Sequence, residues 1–396
     1  MAIRLRFKIG LIFVVYVLNI QLFVYMGRRW NPSLEAKSRA VTVRENQVLG
    51  TRIRKIERGN VTFTLSKRAN TSSTLNSAAL TPRVLKFMDL NPRPNGPFIF
   101  NFDGCEFSRC AMTSRPEEVD VMMINGAKMK DVTLPPRPAG QIWLLYSKEP
   151  VNDGRFLHLK NANFYKKVNW TRTYRKGSTF WSPYGILVEK SKPPAKDYGT
   201  IYQRKKYDVA WFVGHCQTRS NREAYVGRMM PHVDIHIYGA CGNRSCGSRG
   251  YAMGGLKDAC LGLLSKSYKF YLSFENSLCS EYVTEKFFNM FDDIDVVPVV
   301  RGGADYDGLF PKGTFINSKH FDSPESLAKH LHRLSRDKEA YISLLSKKNR
   351  YKATFPNVSL ACQLCKAAHT RSPSQVYDDI YAWLTAPGNC HDPNDL

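Results

Sequence analysis

Between residues 209 and 334 the chain alternates short apolar runs with amphipathic stretches, and few folds accept that rhythm. Residues 209–213, 233–238, 270–274 and 296–300 read as buried strands, and residues 222–230, 256–264 and 283–291 as helices between them. Ser323 and Pro324 supply an N-cap and a first-turn proline for a further helix carrying Leu327, Leu331 and Leu334 on one face. Strand alternating with helix predicts an α/β fold with a parallel, doubly wound sheet. Upstream, residues 98–102, 121–124 and 142–146 predict a second group of strands, and the Pro193-Pro194 to Gly199 stretch a linker between the two groups. Neither G-x-G-x-x-G nor G-x-x-x-x-G-K-[ST] occurs, so a dinucleotide dehydrogenase and a P-loop ATPase both lack support.

Before these elements the chain has a different character. Arg4, Arg6 and Lys8 precede an apolar run over residues 9–26, closed by Arg28 and Arg29. A helix of that length, at about 1.5 Å per residue, just reaches across a hydrocarbon core. No small-residue cleavage site follows it, so it reads as an uncleaved signal anchor behind a short tail, residues 1–8. Residues 27–95 are rich in Arg, Ser, Thr and Asn without sustained periodicity, as a solvated stem would be. The net charge of +24 suggests nucleic acid at first sight. Residues 1–90 hold 16 basic and 4 acidic side chains, however, so half of the excess lies outside the folded region and the charge argues little.

Five N-x-S/T sequons follow the apolar run, at Asn60, Asn70, Asn169, Asn243 and Asn357, and all ten cysteines lie beyond it. In a lumenal chain an even cysteine count reads as disulfides. Cys362 and Cys365 with His369 have zinc-like spacing, but no second C-x-x-C or H-x-x-x-H completes a four-ligand set, so no metal site is expected.

In a doubly wound sheet, ligands sit at the carboxyl ends of the strands against helix N-termini. Such a turn follows residue 274 and holds Glu275, Asn276, Tyr282, Glu285 and Lys286. A cation there suits a diphosphate, a carboxylate suits ribose hydroxyls, and a tyrosine suits a sugar or base. The longer string, Tyr-Lys-Phe-Tyr-Leu-Ser-Phe-Glu-Asn-Ser ending at Ser277, then Glu-Tyr-Val-Thr-Glu-Lys-Phe ending at Phe287, then Val-Pro-Val-Val ending at Val300, resembles the signature of the α-1,3-fucosyltransferases of glycosyltransferase family ten. The stretch from Asn169 to Gly185, the residues from Phe315 to Leu327, and the Cys362/Cys365 pair are similar to that family as well.

The resemblance implies a GT-B architecture, two Rossmann-like domains facing a cleft behind an anchor and stem. Residues 96–198 would form the acceptor-side domain, 199–370 the GDP-fucose domain and 371–396 a C-terminal tail. It implies a single-pass type II Golgi membrane enzyme with a lumenal catalytic domain. That enzyme would transfer fucose from GDP-β-L-fucose with inversion to the 3-hydroxyl of a GlcNAc in a glycoprotein N-glycan. Arg222, Asn276, Tyr282, Glu285 and Lys286 match the donor-site positions, with Arg222 and Lys286 neutralising the diphosphate. Glu149, ahead of Pro150, is the match for the general base of a Glu-Ser-Pro-like element. No essential cofactor is implied, a divalent cation such as manganese being at most stimulatory, and no nucleic-acid partner. The innermost GlcNAc of N-glycans and a Lewis-type Gal-GlcNAc terminus are both open as acceptors, as is a catalytically silent glycan-binding protein on the same fold. The chain's return to its first domain would let Cys105 and Cys110 pair with Cys362 and Cys365, against local pairing within each set.

Departures from the family pattern are Val213-Gly-His-Cys216 before Arg222, Gly177 after the Tyr-Arg pair, and Arg301 before Gly302. The acidic run Asp292-Asp-Ile-Asp295 reads as a solvated turn.

Overall fold

The computed structural model describes residues 83–90, 100–130, 132–246, 259–355, 359–370 and 376–396. The apolar run 9–26, the sequons at Asn60, Asn70 and Asn357, and most of the expected stem lie outside them. Among the described residues no helix is long and apolar enough to cross a membrane.

Two parallel sheets organise the chain. The first has six strands in the order β2-β1-β3-β4-β5-β6, with β1 at Leu85–Asp89, β2 at Cys110–Met112, β3 at Val121–Asn125, β4 at Ile142–Tyr146, β5 at Trp170–Thr173 and β6 at Phe180–Trp181. After β7 (Ile186–Glu189), the second has five strands in the order β13-β12-β10-β8-β9. These are β8 at Tyr207–Phe212, β9 at Ile235–Tyr238, β10 at Tyr268–Phe274, β12 at Val297–Arg301 and β13 at Ile316–Asn317. Strand β11 (Leu278–Cys279) pairs antiparallel with β15 (Cys390–His391), and β14 (Tyr351–Thr354) with β7.

Both sheets are covered on two faces, which is why their strands read as apolar runs. Val121 and Met123 of β3 enter one core while Met122 and Ile124 enter another. Val209 and Trp211 of β8 likewise oppose Ala210 and Phe212. The expected helix after Ser323 is present as Pro324–Leu334, with Ser323 and Ser326 closing a capping box and Leu327 and Leu331 fully buried.

Several boundaries differ from the sequence reading. Strand β1 belongs to the stretch expected to be stem, yet it pairs with both β2 and β3, so the folded unit begins before residue 96. Residues 100–102 are not a strand, although Phe102 is buried. Residues expected to be the end of the second domain and a tail instead cover the first sheet. Helix Leu360–Thr370 adds Leu364 and Cys365 to the core that holds Phe87 and Trp170, and helix Ile380–Thr385 adds Ile380 and Leu384 to the core that holds Met122 and Trp143 on the opposite face.

All ten cysteines are paired. Cys105–Cys362 and Cys110–Cys365 take the long-range pairing and pin helix Leu360–Thr370 to the first sheet. Both cysteines of the zinc-like group are thereby oxidised and offer no thiolate. Cys216–Cys241, Cys246–Cys260 and Cys279–Cys390 complete the set.

Two further readings are corrected. Asn169 does not suit glycan attachment in this fold: it is 2% exposed, and its side-chain Oδ1 accepts from the Trp143 backbone N–H at 3.0 Å and from Arg137 at 2.8 Å. Asn243 is exposed. The acidic run is not wholly solvated either. Asp293 is exposed, but Asp295 is buried and meets Lys196 at 2.7 Å, Arg204 at 3.2 Å and the Asn349 amide at 2.9 Å.

Candidate functional site

The carboxyl ends of β8, β10 and β12 meet at one edge of the second sheet, and the residues matched to the donor site gather there. Strand β10 ends at Phe274; the chain then runs through Glu275 and Asn276, through β11, and enters the short helix Glu285–Phe288. Thr284 caps that helix. The turn after β12 must be glycine at 303, where a Cβ would stand 2.5 Å from the Cys279 nitrogen.

Glu275 is fully buried and holds the turn together, accepting from the Thr284 N–H at 2.8 Å and its hydroxyl at 2.9 Å. Lys286 Nζ donates to the Thr284 hydroxyl at 2.9 Å and lies 3.3 Å from Glu275 and 3.1 Å from Glu285. Burial works against the ammonium, but the two carboxylates outweigh it and hold Lys286 above its ordinary pKa. Burial also pushes the Glu275 carboxyl up, opposed by Lys286. The lysine is therefore charged and held in place, with the half-exposed Glu285 as its outer partner.

Arg222 is 3% exposed and starts helix Arg222–Met229. One terminal nitrogen donates to the Phe274 carbonyl at 2.7 Å and the other to the His215 carbonyl at 3.1 Å, so it ties the ends of β8 and β10 together. Among the described residues the buried Asn276 Oδ1 has no hydrogen-bond partner, while the Arg222 Nε, also without a hydrogen bond, lies 3.5 Å from the Glu223 carboxylate. A buried polar atom without a partner costs about 1–3 kcal/mol, so the Asn276 acceptor at this strand edge suits a polar ligand. Arg301, the departure at the end of β12, is 2% exposed and grips Asp395 through two hydrogen bonds of 2.8 and 2.7 Å, while donating to the Ser220 carbonyl at 2.8 Å.

Aromatic rings join this edge to the first sheet. Tyr282, 2% exposed, packs on Tyr174 with centroids 4.9 Å apart and edge-on against Tyr184 at 6.1 Å. The Tyr184 hydroxyl donates to the Lys148 carbonyl at 2.7 Å. Burial raises the pKa of the Tyr184 phenol, and the charges of Glu149, Glu285 and Glu275 raise it further. Glu281, in left-handed backbone at φ 60°, accepts the Lys176 N–H at 3.0 Å and fastens the turn to the strand β5–β6 connection.

Glu149 lies beyond β4, at the carboxyl edge of the first sheet, lining a cavity of 360 Å³. Its side chain is 43% exposed and pairs with Arg155 at 2.8 Å. The fold thus brings Asn276, Tyr282, Glu285 and Lys286 onto one turn, with Arg222 beside it and Glu149 across the tyrosine wall. Sequence reasoning missed Lys148 and Arg172 in that cavity, although Lys148 adjoins Glu149. It also missed Tyr184 as the link between halves, although Tyr184 belongs to the Asn169–Gly185 stretch that carried the resemblance.

Known sequences agree with this arrangement. The description "Fucosyltransferase, N-terminal" matches residues 79–185, and "Glycosyltransferase family 10 (fucosyltransferase) C-term" matches residues 202–383. The chain belongs to glycosyltransferase family 10. Among relatives of this family-10 chain, glycoprotein 3-alpha-L-fucosyltransferase A of Drosophila melanogaster is 36% identical over 244 residues, 59% of this chain and 46% of its own length. Alpha-(1,3)-fucosyltransferase C of the same fly is 32% identical over 304 residues, 70% of this chain and 68% of its own. The chain therefore spans less than half of the first relative and about two thirds of the second. A crystal structure of an alpha1,3-fucosyltransferase with GDP-fucose aligns with 80% of this chain and 95% of its own at 17% identity, with a TM-score of 0.45.

Proposed function

We propose that this family-10 chain transfers L-fucose from GDP-β-L-fucose to the 3-hydroxyl of a GlcNAc in a glycoprotein glycan. The observation that carries the reading is that residues from both halves of the family pattern converge. The turn from Glu275 to Lys286 lies at the carboxyl edge of one parallel sheet, and Glu149 lies at the same edge of the other. Both relatives named above are 3-fucosyltransferases by name, and the first is a glycoprotein enzyme, which favours the innermost GlcNAc of N-glycans over a Lewis-type terminus.

In this reading the acceptor oxygen attacks the fucose anomeric carbon from the face opposite GDP. The new C–O bond forms as the bond to the diphosphate breaks, the acceptor proton goes to Glu149, and GDP leaves with the electron pair. Lys286, with the field of Arg222, meets the charge that develops on the diphosphate, and Glu285 accepts from the ribose hydroxyls. Protein cations thereby take the part a metal ion plays elsewhere, and chelation should leave turnover intact. The apolar run 9–26 would hold the enzyme in a Golgi membrane with this catalytic unit in the lumen.

The test incubates the full chain with GDP-fucose and a panel of N-glycan and lactosamine acceptors, with mass spectrometry of the products and fragmentation to place the linkage. One deoxyhexose added at a GlcNAc 3-hydroxyl supports the reading. No transfer to any acceptor, with no binding of GDP by calorimetry, sinks it.

A further inference from the structure

The end of the chain reaches the donor edge and closes on it. Cys390 is bonded to Cys279, β15 pairs with β11, and the Ser280 N–H donates to the Asn389 carbonyl at 2.7 Å. Further on, Asp395 meets Arg301 side-on, accepting from its Nε at 2.8 Å and from one terminal nitrogen at 2.7 Å. The guanidinium is almost wholly buried and lies over the Tyr225 ring at 4.5 Å, whereas the Asp395 side chain is 38% exposed. Among the described residues no other carboxylate forms an ion pair with Arg301.

The remaining terminal nitrogen of Arg301 donates to the Ser220 carbonyl at 2.8 Å. Ser220 is fully buried and tied to the donor turn: its N–H donates to the Asn276 carbonyl at 3.1 Å and its hydroxyl to the Glu275 carbonyl at 2.7 Å. The Glu275 N–H closes the ring by donating to the Arg301 carbonyl at 2.9 Å. Beyond Ser220 comes Asn221, in left-handed backbone at φ 48°, and then helix Arg222–Met229. Ser220 thus stands between two residues matched to the donor site, Arg222 and Asn276, and Arg301 fixes its carbonyl. A buried guanidinium stripped of its carboxylate must find other acceptors or draw in water, and either response disturbs this ring.

We infer that Asp395 is a positioning residue for the donor: through Arg301 and Ser220 it sets the placement of Arg222 and Asn276 around a nucleoside diphosphate. The inference rests on the transferase reading and deepens it by giving the last residues of the chain a part in the donor site. Asp395 acts through Arg301 and not on the nucleotide itself. The Cys279–Cys390 bridge keeps the tail attached whatever residue stands at 395, so removing the carboxylate changes charge and aim without releasing the tail.

The experiment uses the full chain with GDP-fucose and a lactosamine acceptor, varying each substrate in turn, with GDP calorimetry and a thermal unfolding midpoint alongside. Asp395→Ala is expected to raise the donor KM and the GDP Kd about tenfold while leaving kcat and the acceptor KM within about twofold. Asp395→Glu should keep the donor KM near that of the unaltered protein. In an Arg301→Met background, Asp395→Ala should add nothing, because the residue through which it acts is gone. Should Arg301→Met fail to fold, the Asp395 series alone decides. A donor KM unchanged in Asp395→Ala overturns the inference, and intact turnover in the same assay upholds the transferase reading. So does a parallel loss in kcat and both KM values with a lowered midpoint and no rescue by glutamate, which would make Asp395 a structural residue only. An unaltered protein that neither turns over nor binds GDP overturns both readings together.

Discussion

The paired bridges Cys105–Cys362 and Cys110–Cys365 give a non-additive prediction. Each spans about the same loop, with sequence separations of 257 and 255. In the chain-entropy model, closing a loop of that length contributes about 5.5 kcal/mol. The two cannot each contribute that much. Once one bridge has closed the long loop, the second closes only the ring formed by residues 105–110 and 362–365, about ten residues, which is worth roughly 2.7 kcal/mol. The perturbation is Cys105→Ala with Cys362→Ala, chosen because both residues are half-exposed while Cys110 and Cys365 are buried in the first sheet's core. Guanidinium unfolding should show a loss of about 2.7 kcal/mol for this variant. The four-alanine variant should lose about 8 kcal/mol, together with a small cavity cost at Cys365. A loss near 5.5 kcal/mol from removing the first bridge alone, with the second removal costing the same again, would refute the shared-loop argument.

The remaining predictions concern single charges. Lys286→Ala should weaken GDP binding about thirtyfold, equivalent to ~2 kcal/mol, as read by calorimetry. Glu149→Gln should leave that binding unchanged and reduce turnover by a factor of about 10² to 10⁴; near-normal turnover would move the base elsewhere. Asp295→Asn should cost about 3 kcal/mol in urea unfolding, because it leaves Lys196 and its neighbours without their buried partner. Burial opposes ionisation of Asp295, but the Lys196 hydrogen bond and charge win and lower its pKa. Its stabilisation is present above the usual carboxylate range and is lost as pH falls through the lowered value, a dependence the asparagine variant should lack.

Strands β3, β4, β8, β10 and β12 were legible because burial on both faces writes them as unbroken apolar runs. Strand β1, Leu-Lys-Phe-Met-Asp, and β5, Trp-Thr-Arg-Thr, were not, because each mixes charged or polar residues that the fold satisfies in particular ways. Asp89 takes the Tyr146 hydroxyl, and Arg172 faces the cavity. The donor-edge turn was legible as a long string of specific residues, but its internal wiring was not. Nothing in the order of residues says that Glu275 is the buried partner of Lys286, or that Arg222 spends its terminal nitrogens on two backbone carbonyls. Asn169 shows the opposite failure: the tripeptide has the form of a glycan acceptor, while the asparagine amide is needed inside the sheet edge. The partner of Arg301 was hidden for a third reason, since Asp395 is 94 residues away and tertiary folding alone brings it near.

The chain crosses between its two sheets more than once, and this bears on how a cleft between them can work. Strand β7, leaving the first sheet, pairs with β14 beyond the second, and helices Leu360–Thr370 and Ile380–Thr385 then return to opposite faces of the first. The final residues go back again: Cys390 is bonded to Cys279 inside the donor-edge turn, β15 pairs with β11, and Asp395 holds Arg301 at the end of β12. A rigid-body opening of one sheet from the other would have to stretch these connections together, and three of the bridges in them are covalent. Adjustment to a ligand is therefore cheapest in side chains. Glu285 is partly exposed and bound to Lys286 by one 3.1 Å contact, so it can turn outward and release the ammonium while Glu275 and Thr284 still hold it in register. The covalent return of the chain keeps the two edges apposed, and the charged residues on the exposed side of Tyr282 and Tyr184 are left as the adjustable part of the site.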